Sequence, residues 1–277
     1  MQIAVVNDRM VRFEEVDSQC LDRGLFFGDG VYEVLRSYNG RIFAMDEHFE
    51  RFANSLKAIE IAGVDVGAIR SQVLAAFDKA AIANARIYFH VTRGSEARDH
   101  LPSAGLKPNF FLTVTEIKDN PALKEAGVAV STYPDIRWKR CDIKSLNLLP
   151  SVMAKRDAAG KGCWEAVFVN DRGRITEGGS SAFFGVVKGR LRTSPLNADI
   201  LPSVTRIYAK LAAKNIGLAV VEKSMTPREA AAAEELFLAV TTTDIVPVVR
   251  FDGRQIADGK PGKWTKQIVE EFRKSAA

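Results

Sequence analysis

The sequence predicts an α+β chain of two domains, a small α/β N-terminal domain and a larger, mainly antiparallel β domain with flanking helices. Three observations predict it. Strand-like alternation opens the chain, two helix-period stretches follow, and a turn-rich connection at Lys118-Asp119-Asn120-Pro121 precedes a region of short strands. The division is expected at residues 1–118, 119–122 and 123–277.

In chain order, Val31-Tyr32-Glu33-Val34-Leu35 and Arg41-Ile42-Phe43 alternate around Asn39-Gly40, the pair that two-residue hairpin loops favour. Phe49, Phe52, Leu56 and Ile59 recur at three- and four-residue spacing, so a helix is expected from Asp46 as N-cap to Gly63 as terminator. A second helix is expected over about Ala68 to Ala83. Strands return over Ala85–Thr92 and Asn109–Thr115, separated by a loop that holds Gly94, Pro102, Gly105 and Pro108 together with Arg98-Asp99-His100.

Past the connection, Val167–Val169 and Arg174–Thr176 flank Asn170-Asp171-Arg172-Gly173, and Phe183–Val187 and Leu191–Thr193 flank Lys188-Gly189-Arg190, the pattern of antiparallel hairpins. Helices are expected from Ser203 to about Asn215, from Pro227, where Thr226 and Glu229 fit a capping box, and from Lys263 to Lys274.

Composition bounds the function classes. The 39 basic and 34 acidic residues give +5 without a basic block, which argues against nucleic-acid binding and suits an anionic ligand. Cys20, Cys141 and Cys163 have no metal-ligand spacing and read as free thiols; no metal is expected. No basic leader precedes an apolar stretch, and no apolar run approaches the ~20 residues needed to cross a bilayer, so the expected location is cytoplasmic, away from membrane.

Taken alone, Lys144 in Cys141-Asp142-Ile143-Lys144-Ser145-Leu146-Asn147 is one lysine among many. Its company distinguishes it: Arg51 before it, then Thr176-Glu177-Gly178-Gly179-Ser180-Ser181, Leu201-Pro202-Ser203-Val204-Thr205-Arg206 and Thr241-Thr242-Thr243 after it. Across nearly the whole chain this succession resembles the fold-type IV, or class IV, pyridoxal-phosphate aminotransferases. Val91-Thr92-Arg93-Gly94, Arg98-Asp99-His100 and the run from Arg137 to Leu149 are similar to the D-amino-acid transaminases among them.

The resemblance implies pyridoxal 5′-phosphate as cofactor, held by Lys144 as a Schiff base, with the freed amine moving the substrate Cα proton. It assigns Glu177 to the pyridine nitrogen and Leu201 to one face of the ring. Arg51, Val204, Thr205, Thr241 and Thr242 are assigned to the phosphate, whose charge calls for convergent N–H and hydroxyl donors. Tyr32, Arg98 and His100 would bind the substrate α-carboxylate, a task that suits the planar guanidinium fork. The implied reaction exchanges amino groups between D-amino acids, of the D-alanine or D-glutamate type, and 2-oxo acids such as 2-oxoglutarate or pyruvate. The family also implies a homodimer whose active sites are shared across the interface.

Two departures concern details of affinity. Pro202-Ser203 stands where relatives often have glycine second, and Ala182 replaces a frequent asparagine. Other activities on the same scaffold are L-branched-chain transamination, (R)-amine transamination and aminodeoxychorismate cleavage, and outside enzymes a cofactor-free binding protein. Arg98 and His100 favour the D-amino-acid reading over the L-branched-chain one.

Overall fold

The described residues build three sheets, and the order in which the chain visits them decides where its candidate functional groups meet. A computed structural model describes residues 1–276. The N-terminal hairpin of β1 (Ile3–Val6) and β2 (Arg9–Arg12), not anticipated from alternation, is a two-stranded sheet of its own. A short helix α1 (Arg23–Phe27) leads to β3 (Gly30–Tyr38), which turns at Asn39-Gly40 into β4 (Arg41–Ile42). Both turn residues have positive φ, 48° and 83°, the conformation for which Asn-Gly is suited. Helices α2 (Met45–Ala58) and α3 (Val66–Ala80) follow, then β5 (Ala85–Thr92) and β6 (Asn109–Glu116), giving the sheet order β4-β3-β5-β6. Phe49 and Phe52 of α2 and Val73 of α3 pack on Val31, Leu35, Ile87 and Phe89. Each such buried side chain is worth about 1.5–3 kcal/mol.

The chain then runs through α4 (Pro121–Ala126), β7 (Val128–Pro134), α5 (Leu149–Gly160), β8 (Glu165–Val169), β9 (Ile175–Gly178), β10 (Ala182–Val187) and β11 (Arg190–Thr193). It ends with α6 (Val204–Asn215), β12 (Val220–Glu222), α7 (Pro227–Ala231), β13 (Glu235–Val240), β14 (Asp244–Phe251), β15 (Arg254–Gln255) and α8 (Lys263–Ala276). Nine strands form one sheet in the order β12-β11-β10-β13-β14-β7-β8-β9, with β15 beside β14. Its inner strands are apolar on both faces: Phe184 and Phe237 pack toward α6 and α8, and Phe183 and Leu238 toward the opposite side.

The large sheet is mainly antiparallel, as expected: five pairings are antiparallel, and β11-β12, β14-β7 and β7-β8 are parallel. Several helix boundaries shift. Helix α2 starts from Ala44, in the left-handed region at φ 50°, and Asp46 lies in its first turn, paired with Arg70. A carboxylate is favourable there, close to the positive helix end, as it would be as a cap. The helix stops at Ala58, well before Gly63, because Glu60 takes the left-handed turn at φ 56°. Helix α3 is capped by Asp65 and ends at Ala80 rather than Ala83. Among the described residues no helix is long and apolar enough to cross a membrane.

One local detail positions the site. After β7 the chain doubles back to the small sheet, where the Tyr32 N–H donates to the Lys144 carbonyl (3.0 Å) and the Leu146 N–H to that of Gly30 (3.0 Å). Lys144 is thereby stitched to the edge of β3, far from it in sequence.

Candidate functional site

Successive residues of a strand point to opposite faces, and β3 uses both. Val31, Glu33 and Leu35 face the core under α2, while Tyr32 and Val34 line a cavity of about 710 Å³ between the small and large sheets. The cavity also receives Arg51, Arg137, Lys144, Glu177, Leu201, Thr241 and Thr242.

Lys144 enters from the segment stitched to β3, and its N–H also donates to the Ser55 hydroxyl on α2 (3.2 Å). Its Nζ lies 4.2 Å from the centre of the Tyr32 ring and makes no ion pair among the described residues. An ammonium or amine so placed has the ring face for company and no carboxylate to neutralise it.

At the large-sheet wall, Glu177 on β9 is buried. Its carboxylate accepts from Arg137 Nη1 (2.5 Å) and from the Leu201 N–H (3.2 Å). Arg137 is shared: Nε and Nη2 also hold both oxygens of Asp135, at 2.8 Å each, and the guanidinium lies 4.4 Å from the Phe168 ring centre. Burial raises the Glu177 carboxyl above its ordinary range, and Arg137, divided between two carboxylates, offsets this only in part. A cationic ring nitrogen beside Glu177 would favour its charged form. Cys141, which also lines the cavity, is pushed up to about 12 by burial and stays a thiol.

Behind Glu177 the chain must pass closely. A Cβ at Gly178 would fall 2.0 Å from Ser181 Oγ, and one at Gly179 3.0 Å from Glu165 Oε1. These glycines let the Gly178–Ser181 turn fold onto Glu165, which accepts from the Ser180 N–H (3.2 Å) and hydroxyl (2.7 Å).

The opposite end gathers donors into a candidate anion hole. Arg51 donates from Nε and Nη2 to both oxygens of Glu33 (2.8 Å each) and from Nη1 to the Pro202 carbonyl (3.1 Å). Three of the five N–H donors of a guanidinium are thus used. Burial would raise the Glu33 carboxyl, but Arg51 overrides it and, with His48 Nδ1 at 2.8 Å, holds Glu33 down to about 2. Burial pushes the His48 imidazole below its ordinary range. Beside Arg51, α6 begins at Val204, and the Val204 and Thr205 N–H groups have no acceptor among the described residues. The Thr205 and Thr241 hydroxyls stand 3.4 Å apart. Free amides at a helix start, paired hydroxyls and an arginine with spare donors suit a phosphate.

Lys144, Tyr32, Glu177, Leu201, Arg51, Thr241 and Thr242 therefore share one cavity, with Val204 and Thr205 buried just behind it. Arg98 and His100 are not brought to it. Both are exposed on the loop between β5 and β6 and gather around Phe27, Arg98 5.0 Å over its ring and the His100 ring 5.2 Å away. Arg23 fixes this loop through the Asp99 and His100 carbonyls (2.6 and 2.9 Å).

Sequence reasoning missed Glu33, His48, Ser55, Arg137 and Glu165. Glu33 carried a signal: it alternates in phase with Val31 and Leu35, so a strand that buries those two must bury its charge as well. His48, Arg51 and Ser55, at i, i+3 and i+7, share one face of α2.

The family described as Amino-transferase class IV matches residues 30–251. The D-alanine aminotransferase of Bacillus licheniformis is 37% identical over 273 residues, covering 97% of this chain and 95% of that one. The branched-chain amino acid aminotransferase of Escherichia coli superposes with a TM-score of 0.87 at 24% identity, covering 97% of this chain and 92% of that one. A hypothetical aminotransferase from Mycobacterium tuberculosis, in its PLP-bound form, gives 0.81 at 19% identity, with coverage of 97% and 96%. The last two likenesses speak to the fold.

Proposed function

The chain belongs to the class IV aminotransferases, and on that premise we propose that it exchanges amino groups between D-amino acids of the alanine type and 2-oxo acids, using pyridoxal 5′-phosphate. The observation that carries this reading is the meeting, in one cavity, of the unpaired Lys144 amine, the buried Glu177 carboxyl and the Arg51–α6 anion hole.

Bound in that cavity, the cofactor would supply an electron sink for the pair left when the substrate Cα–H bond breaks. Lys144 Nζ would hold it and, once released by substrate, take the proton from Cα. Tyr32, beside Nζ, limits where the amine can move. Glu177 would face the ring nitrogen and favour its protonated form, with Arg137 and the Leu201 N–H fixing the carboxylate. Arg51, the Val204 and Thr205 amides and the Thr205, Thr241 and Thr242 hydroxyls would hold the phosphate. Leu201 would cover one ring face and help exclude water.

In the proposed assembly, two copies of the chain form a homodimer in which Arg98 and His100 from one subunit join Tyr32 of the other to clamp the substrate α-carboxylate. Their exposed position, away from the cavity of their own chain, supports this arrangement. The units 1–118 and 123–277, joined by 119–122, would be its two domains.

The test is a substrate panel with 2-oxoglutarate as acceptor: D- and L-alanine, D- and L-glutamate, and L-leucine. Turnover should favour D-alanine and D-glutamate, and a clear L-leucine preference would replace the D-amino-acid assignment by the branched-chain one.

A further inference from the structure

The face of β3 that carries Tyr32 and Val34 into the cavity continues with Arg36 and Tyr38, which pass behind the Thr241–Thr243 loop. Arg36 is 1% exposed. Its Nη1 donates to the Thr242 carbonyl (2.7 Å) and to Asp244 (3.1 Å), and its Nη2 donates to Asp119 in the connection between the sheets. The Tyr38 hydroxyl donates to the same Asp244, and Lys124 of α4 reaches its other oxygen (2.6 Å).

Asp244 explains why so many donors converge. The loop between β13 and β14 is three residues long, and Asp244 at its end sits in the left-handed region at φ 59°. Glycine usually takes that place in a three-residue hairpin loop; aspartate tolerates it at some cost. Three side chains from two elements, Arg36 and Tyr38 of β3 and Lys124 of α4, hold this carboxylate, which fixes both the turn and the direction of Thr241 and Thr242. A second arginine of the small-sheet unit, Arg51, binds the Pro202 carbonyl just ahead of α6. The small-sheet unit thus grips both loops of the anion hole, with Arg36 from β3 and Arg51 from α2.

We propose that Arg36 is a positioning residue for cofactor binding: by holding Thr242 and Asp244 from the small sheet, it sets the Thr241–Thr243 loop in its phosphate-binding conformation. This rests on the reading of that loop as part of the phosphate site. Lysine cannot replace it, because a single ammonium cannot span a carbonyl and two carboxylates as a planar fork does. Asp119 is the weakest leg, since its side chain is 67% exposed.

The experiment compares two ligands on apo-protein, pyridoxal 5′-phosphate and phosphate-free pyridoxal, by absorbance titration of wild type, Arg36→Lys, Asp244→Asn and Tyr38→Phe. Arg36→Lys and Asp244→Asn should weaken the phosphorylated ligand about tenfold or more and leave pyridoxal within about twofold. Tyr38→Phe should shift the ratio in the same direction by about threefold. If Arg36→Lys does not fold, Tyr38→Phe and Asp119→Asn, which each remove one leg, carry the test with smaller ratios of the same sign. Equal losses for both ligands, or none, with the wild-type preference for phosphate intact, would overturn the positioning role alone. A wild type without that preference would overturn the phosphate-site reading and this inference with it.

Discussion

At the proposed phosphate end of the cavity the arginines are buried and held several times over: Arg51 by both oxygens of Glu33 and the Pro202 carbonyl, Arg36 by Asp119, Asp244 and the Thr242 carbonyl. The candidate carboxylate clamp is built the other way. Arg98 and His100 are exposed, and Arg23 holds the backbone of their loop while the side chains lie against Phe27. The contrast follows from the ligands proposed for the two ends. A cofactor that stays needs donors already in place, whose ordering cost is met on folding, whereas a substrate that comes and goes can be met by groups from another subunit.

The largest expected effect is at Lys144, inside the cavity. Lys144→Ala should retain its fold by circular dichroism and lose about 10⁴-fold or more in turnover. Ordinary multiple turnover in this variant would remove Lys144 from the chemistry. At the buried end, Glu33→Ala leaves Arg51 charged and unpaired and should cost about 3–5 kcal/mol in urea unfolding.

That end should also show a pH signature. The folded Glu33 carboxyl is held to about 2 against an ordinary 4.5. Its stabilisation, roughly 3 kcal/mol, is fully present above pH 4.5 and fades as pH falls toward 2. The stability gap between wild type and Glu33→Gln should therefore narrow over that window; a gap independent of pH would show that the pair does not carry it.

The exposed end should respond in kinetics rather than stability. Arg98→Gln should lower kcat/KM for D-alanine about 10- to 100-fold and leave cofactor affinity unchanged. Lost cofactor affinity would erase the distinction between the ends. The smallest expected change is Tyr32→Phe, about 1 kcal/mol or fivefold in kcat/KM, because the ring that borders Lys144 remains and only the hydroxyl is lost.

Local signals were legible in the sequence where one or two residues decide the backbone. Asn39-Gly40 marked its hairpin, and Thr226 with Glu229 formed the expected capping box ahead of α7. Helix α5 was not legible because it reverses the usual pattern: Leu149, Val152 and Met153 are exposed while Ala154 and Ala158 are buried. The parallel pairs β14-β7 and β7-β8 join strands with no short connection, and no turn residue announces them. In the site, family resemblance supplied the residues that line the cavity, but not those that hold them. Nothing in β3 itself names the partner of Glu33 on α2, and a partner of Arg36 lies 208 residues away.

The two-faced strand β3 also limits how this chain can diverge. Because side chains alternate, an insertion of one residue before Val31 would carry Tyr32, Val34 and Arg36 into the core and bring Val31, Glu33 and Leu35 out to the cavity. Arg51 would lose its counter-ion and the Thr241–Thr243 loop its grip in a single event. Descendants of this sequence can retune what they accept by exchanging side chains along β3, while changes of length must fall elsewhere, such as the loop between β5 and β6.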